Sequence, residues 1–296
     1  MRRRTGWGTA IAGLAAILLA VPLLYQLSAS LMTPEEAHAL PPVLLPADPR
    51  FGNYPGAWNG IGIGGLLFTS AVLAVLAAAF QVLTGAAAAF VLARLRFPGR
   101  RSMVKVVVAL AAVPTLVLAV PRFVMVDAWG WSGTFTGLAA PALVSAGAIL
   151  FLYQVFRTLP REPEESARLD GAGPWVVFTR VVVPQARPAL AVVAGLAALA
   201  QWRSLLWPLV VMRGGGGGGP DVAEQGLAHL LSGNAGGLTV PELLAAGVTI
   251  ALPALAVGVW LTSARTRTAR ARRRLESQLP AAVSPLTLGP FEHQVL

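Results

Sequence analysis

A chain of 296 residues that is 55% hydrophobic and only 12% charged falls well short of the roughly 25% charge of a soluble domain, and several of its apolar runs exceed the ~18 residues that mark a bilayer crossing. The net charge of +10 raises nucleic-acid binding as a class, but the arginines punctuate the apolar runs instead of gathering on one face with aromatics, which excludes that reading. The absence of cysteine excludes disulfides, thiolate metal sites and cysteine nucleophiles.

In chain order, Arg2, Arg3 and Arg4 precede an apolar run from Trp7 to about Leu27, inside a first span drawn at 7–30. Its length favours a retained helix over a cleaved signal peptide, whose apolar region has ~7–15 residues. Residues 32–61 hold Glu35, Glu36 and Asp48 against Arg50 alone and read as an external loop. The second span, 64–93, is longer than a crossing requires, so it should tilt or project beyond the hydrocarbon. A basic turn with Arg94, Arg96, Arg100, Arg101 and Lys105 follows.

The third span, 104–126, contains Pro114 and Pro121, which a membrane helix tolerates when neighbours satisfy the freed carbonyls. Trp129 and Trp131 then sit at interface depth. The fourth span is 135–156, the fifth 189–212 and the sixth 243–262. Gly214 to Gly219, after the fifth, is a six-glycine flexible linker. Arg265, Arg267, Arg270, Arg272, Arg273 and Arg274 stop the sixth, and 280–296 reads as an unstructured tail.

The fold class is therefore all-α: a polytopic bundle of six transmembrane helices over 7–264, with short N-terminal (1–6) and basic C-terminal (265–296) segments. Alternating the loops tests the count. The segments on one side carry 19 of the 23 Lys and Arg, and the positive-inside bias then places both termini and the 157–188 loop in the cytoplasm of a cell (inner) membrane.

That loop is the most patterned stretch. Pro163 suits the first position of a helix, and Glu164 and Glu165 complement the positive end of its dipole. Ala167 to Leu169 continue the helix, and Gly171 and Gly173 give a turn its backbone freedom. Pro174 starts a second, apolar segment, Trp175 to Val183, which Pro184 and Pro188 close. The residues alone describe a helix–turn–helix elbow, either a docking surface for a partner or a structural re-entrant piece.

Here the chain resembles the inner-membrane permease subunits of ATP-binding-cassette importers, whose cytoplasmic loop has the form E-A-A, three residues, G, nine residues, I-x-L-P. Glu165-Ser166-Ala167 is followed by Gly171 at that spacing, then by Val181, Val183 and Pro184. Serine and valines are the departures. Ser30 to Glu36, Leu92 to Arg101 and Trp202 to Pro208 resemble stretches of the carbohydrate-type, maltose-permease-like members.

The resemblance implies a type I importer permease fold in which the elbow is a coupling helix, with Glu164, Glu165, Ala167, Asp170, Gly171, Ala172 and Pro184 at the ATPase interface. It also implies a second permease subunit, a cytoplasmic ATPase dimer that uses ATP and Mg, and an extracytoplasmic solute-binding protein as partners, with a sugar or sugar-like solute. This chain would bind no cofactor or metal and would be no enzyme by itself.

Polar residues inside spans are candidates for the substrate path: Gln201, Trp202, Arg203 and Ser204 in the fifth, and Gln81 in the second. Carbohydrate permeases usually show Asn and an acidic residue where this chain has Arg203 and Ser204. Helix-to-helix glue is the competing role for Gln81, Thr84 and Ser70, and snorkelling that for Arg122.

Two rival functions make opposite demands. An intramembrane hydrolase needs an embedded base, but His38, His229 and His293 all fall in loops or the tail. A secondary transporter calls for midplane ionisable residues and no elbow. No Walker A run precedes Lys105, the one lysine, so ATP hydrolysis would fall to another chain.

Overall fold

Long runs of Ala, Leu and Val can satisfy their backbone only by helix when water is absent, and helices are what they form. The computed structural model describes residues 6–214, 222 and 237–278, and among these there is no strand. Arg2 to Arg4, Gly215 to Gly219 and the 280–296 tail lie outside the described residues.

We number the helices in chain order: α1 (Gly6–Ala29), α2 (Pro34–Ala37), α3 (Asn53–Ile61), α4 (Ile63–Arg94), α5 (Arg100–Ala112), α6 (Ala119–Ala128), α7 (Phe135–Ala139), α8 (Ala146–Thr158) and α9 (Glu162–Leu169). Then come α10 (Pro174–Gln185), α11 (Arg187–Trp202), α12 (Leu206–Gly214) and α13 (Val240–Gln278).

The spine is α4. Its 32 residues span about 48 Å, longer than a hydrocarbon core of ~30 Å. Ala86, Ala89 and Ala93 are buried along it, and a Cβ on Gly85 would lie 3.4 Å from Leu152 Cδ1 of α8. Small residues let the two backbones approach closely. Phe90, Leu152, Tyr153 and Phe156 fill the resulting core, together with Val177, Phe178, Val182 and Ala186 from the elbow. By contrast α1 exposes its apolar residues almost throughout, which only lipid or another subunit can cover.

The spans differ from the six uninterrupted helices read from the sequence. Among the described residues, four helical stretches are long and apolar enough to cross a membrane: Ala10–Ala29, Ile63–Arg94, Phe135–Thr158 and Val240–Ser263. The pair α10 and α11, bent by 79°, would make a fifth. Three expected spans are interrupted. The third breaks between α5 and α6, because Pro114 drives Val113 out of the helical region to ψ 123°. The fourth passes through a 3₁₀ turn at Ala140–Ala142 that contains Pro141, and restarts at Ser145, whose Oγ accepts from Ala148 N. The fifth ends α11 at Trp202 and restarts at Leu206.

Helix ends differ at two further places. The stretch apolar enough to cross a membrane ends at Ser263, but the arginines after it do not end the helix, and α13 continues to Gln278, since basic residues mark where a helix leaves the membrane and not where it unwinds. Pro184 does not close the second elbow segment either. Over Val177–Val182 the ladder widens to π spacing, an adjustment that accommodates a missing N–H, and helix persists through Pro184 to Gln185.

The loop after α1 is pinned by polar groups. Thr33 and Glu36 form a reciprocal capping box at α2. The Glu36 carboxylate also accepts from Ala47 N, and Asn53 donates to the carbonyls of Ser30 and Met32.

Candidate functional site

The elbow is built from local rules. Pro163 lies in the first turn of α9 with Glu162, Glu164 and Glu165, where a proline loses no hydrogen bond and carboxylates meet the positive end of the dipole. At the other end Gly171 takes φ +83°, Gly171 N donates to Arg168 O, and Ala172 N donates to Ala167 O at 2.9 Å. These paired bonds are a Schellman stop, which needs a residue without a Cβ penalty at its left-handed position. A Cβ on Gly171 would meet nothing within 4 Å, so the glycine serves the backbone turn and the space beside it is open.

One face of α9 points in. Glu164 is buried and its Oε1 lies 2.8 Å from Arg94 Nη2, with the two side chains only 5% and 2% exposed. The same Nη2 donates to Leu159 O at 3.0 Å. The last residue of the spine thereby holds both the start of the elbow and the chain leading into it. Ala167, one turn on, packs against the core. On α10, Val177 and Val182 are buried and Phe178 stacks 5.0 Å from Phe90 of α4.

The other face points out. Glu165, Ser166, Arg168 and Asp170 are exposed, and so are two large apolar residues, Leu169 at 89% and Trp175 at 71%. Water does not retain such groups for stability. Of the residues read as ATPase-coupling, Glu165, Asp170 and Gly171 stand on this free face, while Glu164 turns inward to Arg94. Ala172 and Pro184 are half-buried.

The candidate path residues divide as well. Gln81 and Gln201 line one cavity of about 570 Å³, with Arg122, Thr115 and Ser145, between α4, the α5–α6 break, α8 and α11. Gln81 Nε2 also donates to Ala142 O at 2.7 Å, satisfying a carbonyl at the Pro141 turn, so it is both glue and lining. Trp202 faces elsewhere: its indole N–H donates to Ile250 O of α13 at 3.0 Å. Arg203 and Ser204 lie at the break after α11 and do not line the cavity. Arg122 forms no ion pair among the described residues, where Arg94–Glu164 is the only one. Asp127 sits roughly 140° further round α6 and accepts from Ser132.

Sequence reasoning missed two features. The Arg94–Glu164 pair joins residues 70 positions apart, and neither local spacing nor hydropathy links them. Arg122 was placed as a snorkelling group, and only the break at Pro114 brings it to the cavity wall.

Residues 81–274 match the family described as "Binding-protein-dependent transport system inner membrane component". The chain is 34% identical over 260 residues to the diacetylchitobiose uptake system permease protein NgcG of Streptomyces coelicolor, covering 86% of this chain and 84% of that one. It is 31% identical over 205 residues to the sn-glycerol-3-phosphate transport system permease protein UgpE of Agrobacterium fabrum, covering 67% and 73%. Among solved structures, a chain of a bacterial ABC transporter involved in the import of the acidic polysaccharide alginate superposes with a TM-score of 0.67 at 22% identity, covering 89% of this chain and 98% of that one.

Proposed function

The chain belongs to the binding-protein-dependent transport system inner membrane components, the permease subunits of ABC importers, and from that premise we propose that it forms half of the path for a sugar or sugar-like solute and is driven by a separate ATPase seated on the α9–α10 elbow. The observation that carries this is the elbow itself: an open turn at Gly171 with Leu169 and Trp175 exposed beside it, anchored to the spine through Arg94–Glu164.

Because the elbow is tied to α4 by a buried ion pair and by Phe178 packing on Phe90, a pull on its outer face moves α4, and α4 packs against α8 and α11. Closure of an ATPase dimer would thus rotate the spans as a body, which is alternating access by rigid elements. ATP and Mg act in that partner. A second permease subunit completes the path, and an external solute-binding protein delivers the solute. The basic ends of the spans then lie in the cytoplasm.

Support for a carbohydrate comes from the name of the diacetylchitobiose relative and from the cavity, where the amides of Gln81 and Gln201 offer the paired donors and acceptors that sugar hydroxyls require. The test is co-expression with the neighbouring transport genes, followed by pull-down and uptake in proteoliposomes. An ATPase should co-purify, and uptake should require ATP. Absence of any ATPase, or ATP-independent uptake that follows an ion gradient, would overturn the reading.

A further inference from the structure

One cavity near the basic end belongs to neither the elbow's outer face nor the cavity that Gln81 and Gln201 line. Two stretches of chain, the turn after α4 with the start of α5, and the end of α8 with the residue that precedes α9, bring Arg96, Arg100, Arg101, Lys105, Arg157 and Arg161 around one hollow of about 870 Å³. No carboxylate lines it. Arg94–Glu164 is the only ion pair among the described residues, so none of the six is in an ion pair, and only Arg96 and Arg161 also border a neighbouring hollow that Glu164 and Glu165 line.

Two are already oriented. Arg100 donates through Nε to Leu92 O at 2.6 Å and through Nη2 to Ala93 O, and the Arg157 guanidinium lies 5.7 Å from the centroid of the Tyr153 ring. The positive-inside bias accounts for basic residues in these loops. It does not account for their convergence, since like charges gathered on one hollow repel unless an anion joins them.

The surroundings choose among anions. The hollow opens where α4 and α8 end, which is also where two stretches apolar enough to cross a membrane, Ile63–Arg94 and Phe135–Thr158, come to their ends, and Phe97 and Val104 contribute to its wall. α5 continues from it with Met103, Val106 and Leu110 exposed along an i, i+3, i+7 line and Val108 exposed beside them. A soluble phosphate would use the arginines and leave that stripe idle. A lipid uses both. We propose that this pocket binds the phosphate headgroup of an anionic phospholipid, with an acyl chain along the α5 stripe, as basic pockets between membrane helices do. The site is independent of which solute is carried.

The complete transporter complex, purified with its partner subunits and reconstituted in phosphatidylcholine vesicles doped with photoactivatable phosphatidylglycerol, provides the test. Label should appear on the peptide spanning Arg96 to Lys105, and photoactivatable phosphatidylcholine should leave that peptide at background. Arg101→Gln/Lys105→Gln/Arg157→Gln should cut the labelling at least about tenfold. Arg101→Lys/Arg157→Lys, which keeps the charge, should retain most of it. Arg270→Gln/Arg272→Gln/Arg273→Gln removes equal charge from the C-terminal segment and should also retain it. Labelling is normalised to monodisperse complex, so a misfolded variant does not count. Equal loss in the two Gln variants, equal labelling by phosphatidylcholine, displacement by millimolar inorganic phosphate, or labelling only after the ATPase is stripped away would each overturn the proposal.

Discussion

The elbow and the cavity handle polarity in opposite ways. At the elbow a buried cation meets a buried anion from the same chain, Arg94 with Glu164 at 2.8 Å, so the charge is spent on holding α9 against the spine. At the cavity Arg122 has no ion-pair partner among the described residues and faces space shared with Gln81 and Gln201. A closed pair fixes structure, whereas a cation left open on a cavity wall is free to meet a group from outside the chain.

The largest effect should come from breaking the closed pair. Arg94→Ala leaves the buried Glu164 carboxylate uncompensated, which costs about 3–5 kcal/mol. We expect a clear fall in the detergent melting temperature and loss of ATPase co-purification, with the swap Arg94→Glu/Glu164→Arg recovering part of both. If Arg94→Ala melts like the parent, the pair does not anchor the elbow.

Next is the turn. Gly171→Ala meets no clash but must hold φ +83° at a cost of roughly 1–2 kcal/mol. ATP-driven uptake should drop several-fold while global melting changes little, and Gly171→Asn should be milder, because asparagine tolerates the left-handed region. Equal activity of Ala and Gly would mean the turn is not under strain during transport.

The cavity separates two neighbours on α11. Gln201→Ala should raise the KM for solute about three- to tenfold, the worth of one hydrogen bond, with melting unchanged. Trp202→Phe should do the reverse, losing the bond to Ile250 O and about 1–3 kcal/mol of stability with KM intact. If both raise KM alike, the division between lining and strut fails.

The elbow was legible because its signals are local: Pro163, Glu164 and Glu165 start a helix, and Gly171 stops it eight residues after Pro163. The motif spacing from Glu165 to Gly171 led to the permease family that residues 81–274 match. The cavity was not legible. Gln81, Arg122, Ser145 and Gln201 come from four elements, and hydropathy sees only the total apolar length of a span, so the breaks after Val113 and Trp202 that arrange them leave no trace in it. Prolines in the third span were read as tolerated within a helix, yet the restriction on the residue before Pro114 prevailed.

The smallest effect is a pH dependence in the loop after α1. Hydrogen bonds from the backbone N–H groups of Thr33 and Ala47 hold the Glu36 carboxyl below its ordinary 4.5. A depressed carboxylate stabilises the fold above its unfolded pKa and ceases to do so as pH falls through the lowered one. Order at α2, followed by hydrogen exchange, should therefore weaken only below about pH 4.5, and Glu36→Gln should reduce that dependence, leaving the part carried by Glu35, whose carboxyl hydrogen bonds also hold below its ordinary value.

The central claim, that the elbow's outer face docks the ATPase, meets its most direct test in crosslinking, since the chain has no cysteine of its own. Leu169→Cys should crosslink to a single cysteine walked along the cleft of the co-expressed ATPase, with a yield that changes when ATP is trapped. Leu40→Cys, equally exposed in the loop after α1, should give none. Crosslinks from Leu40→Cys, or their absence from both Leu169→Cys and Trp175→Cys across the whole walk, would contradict the account.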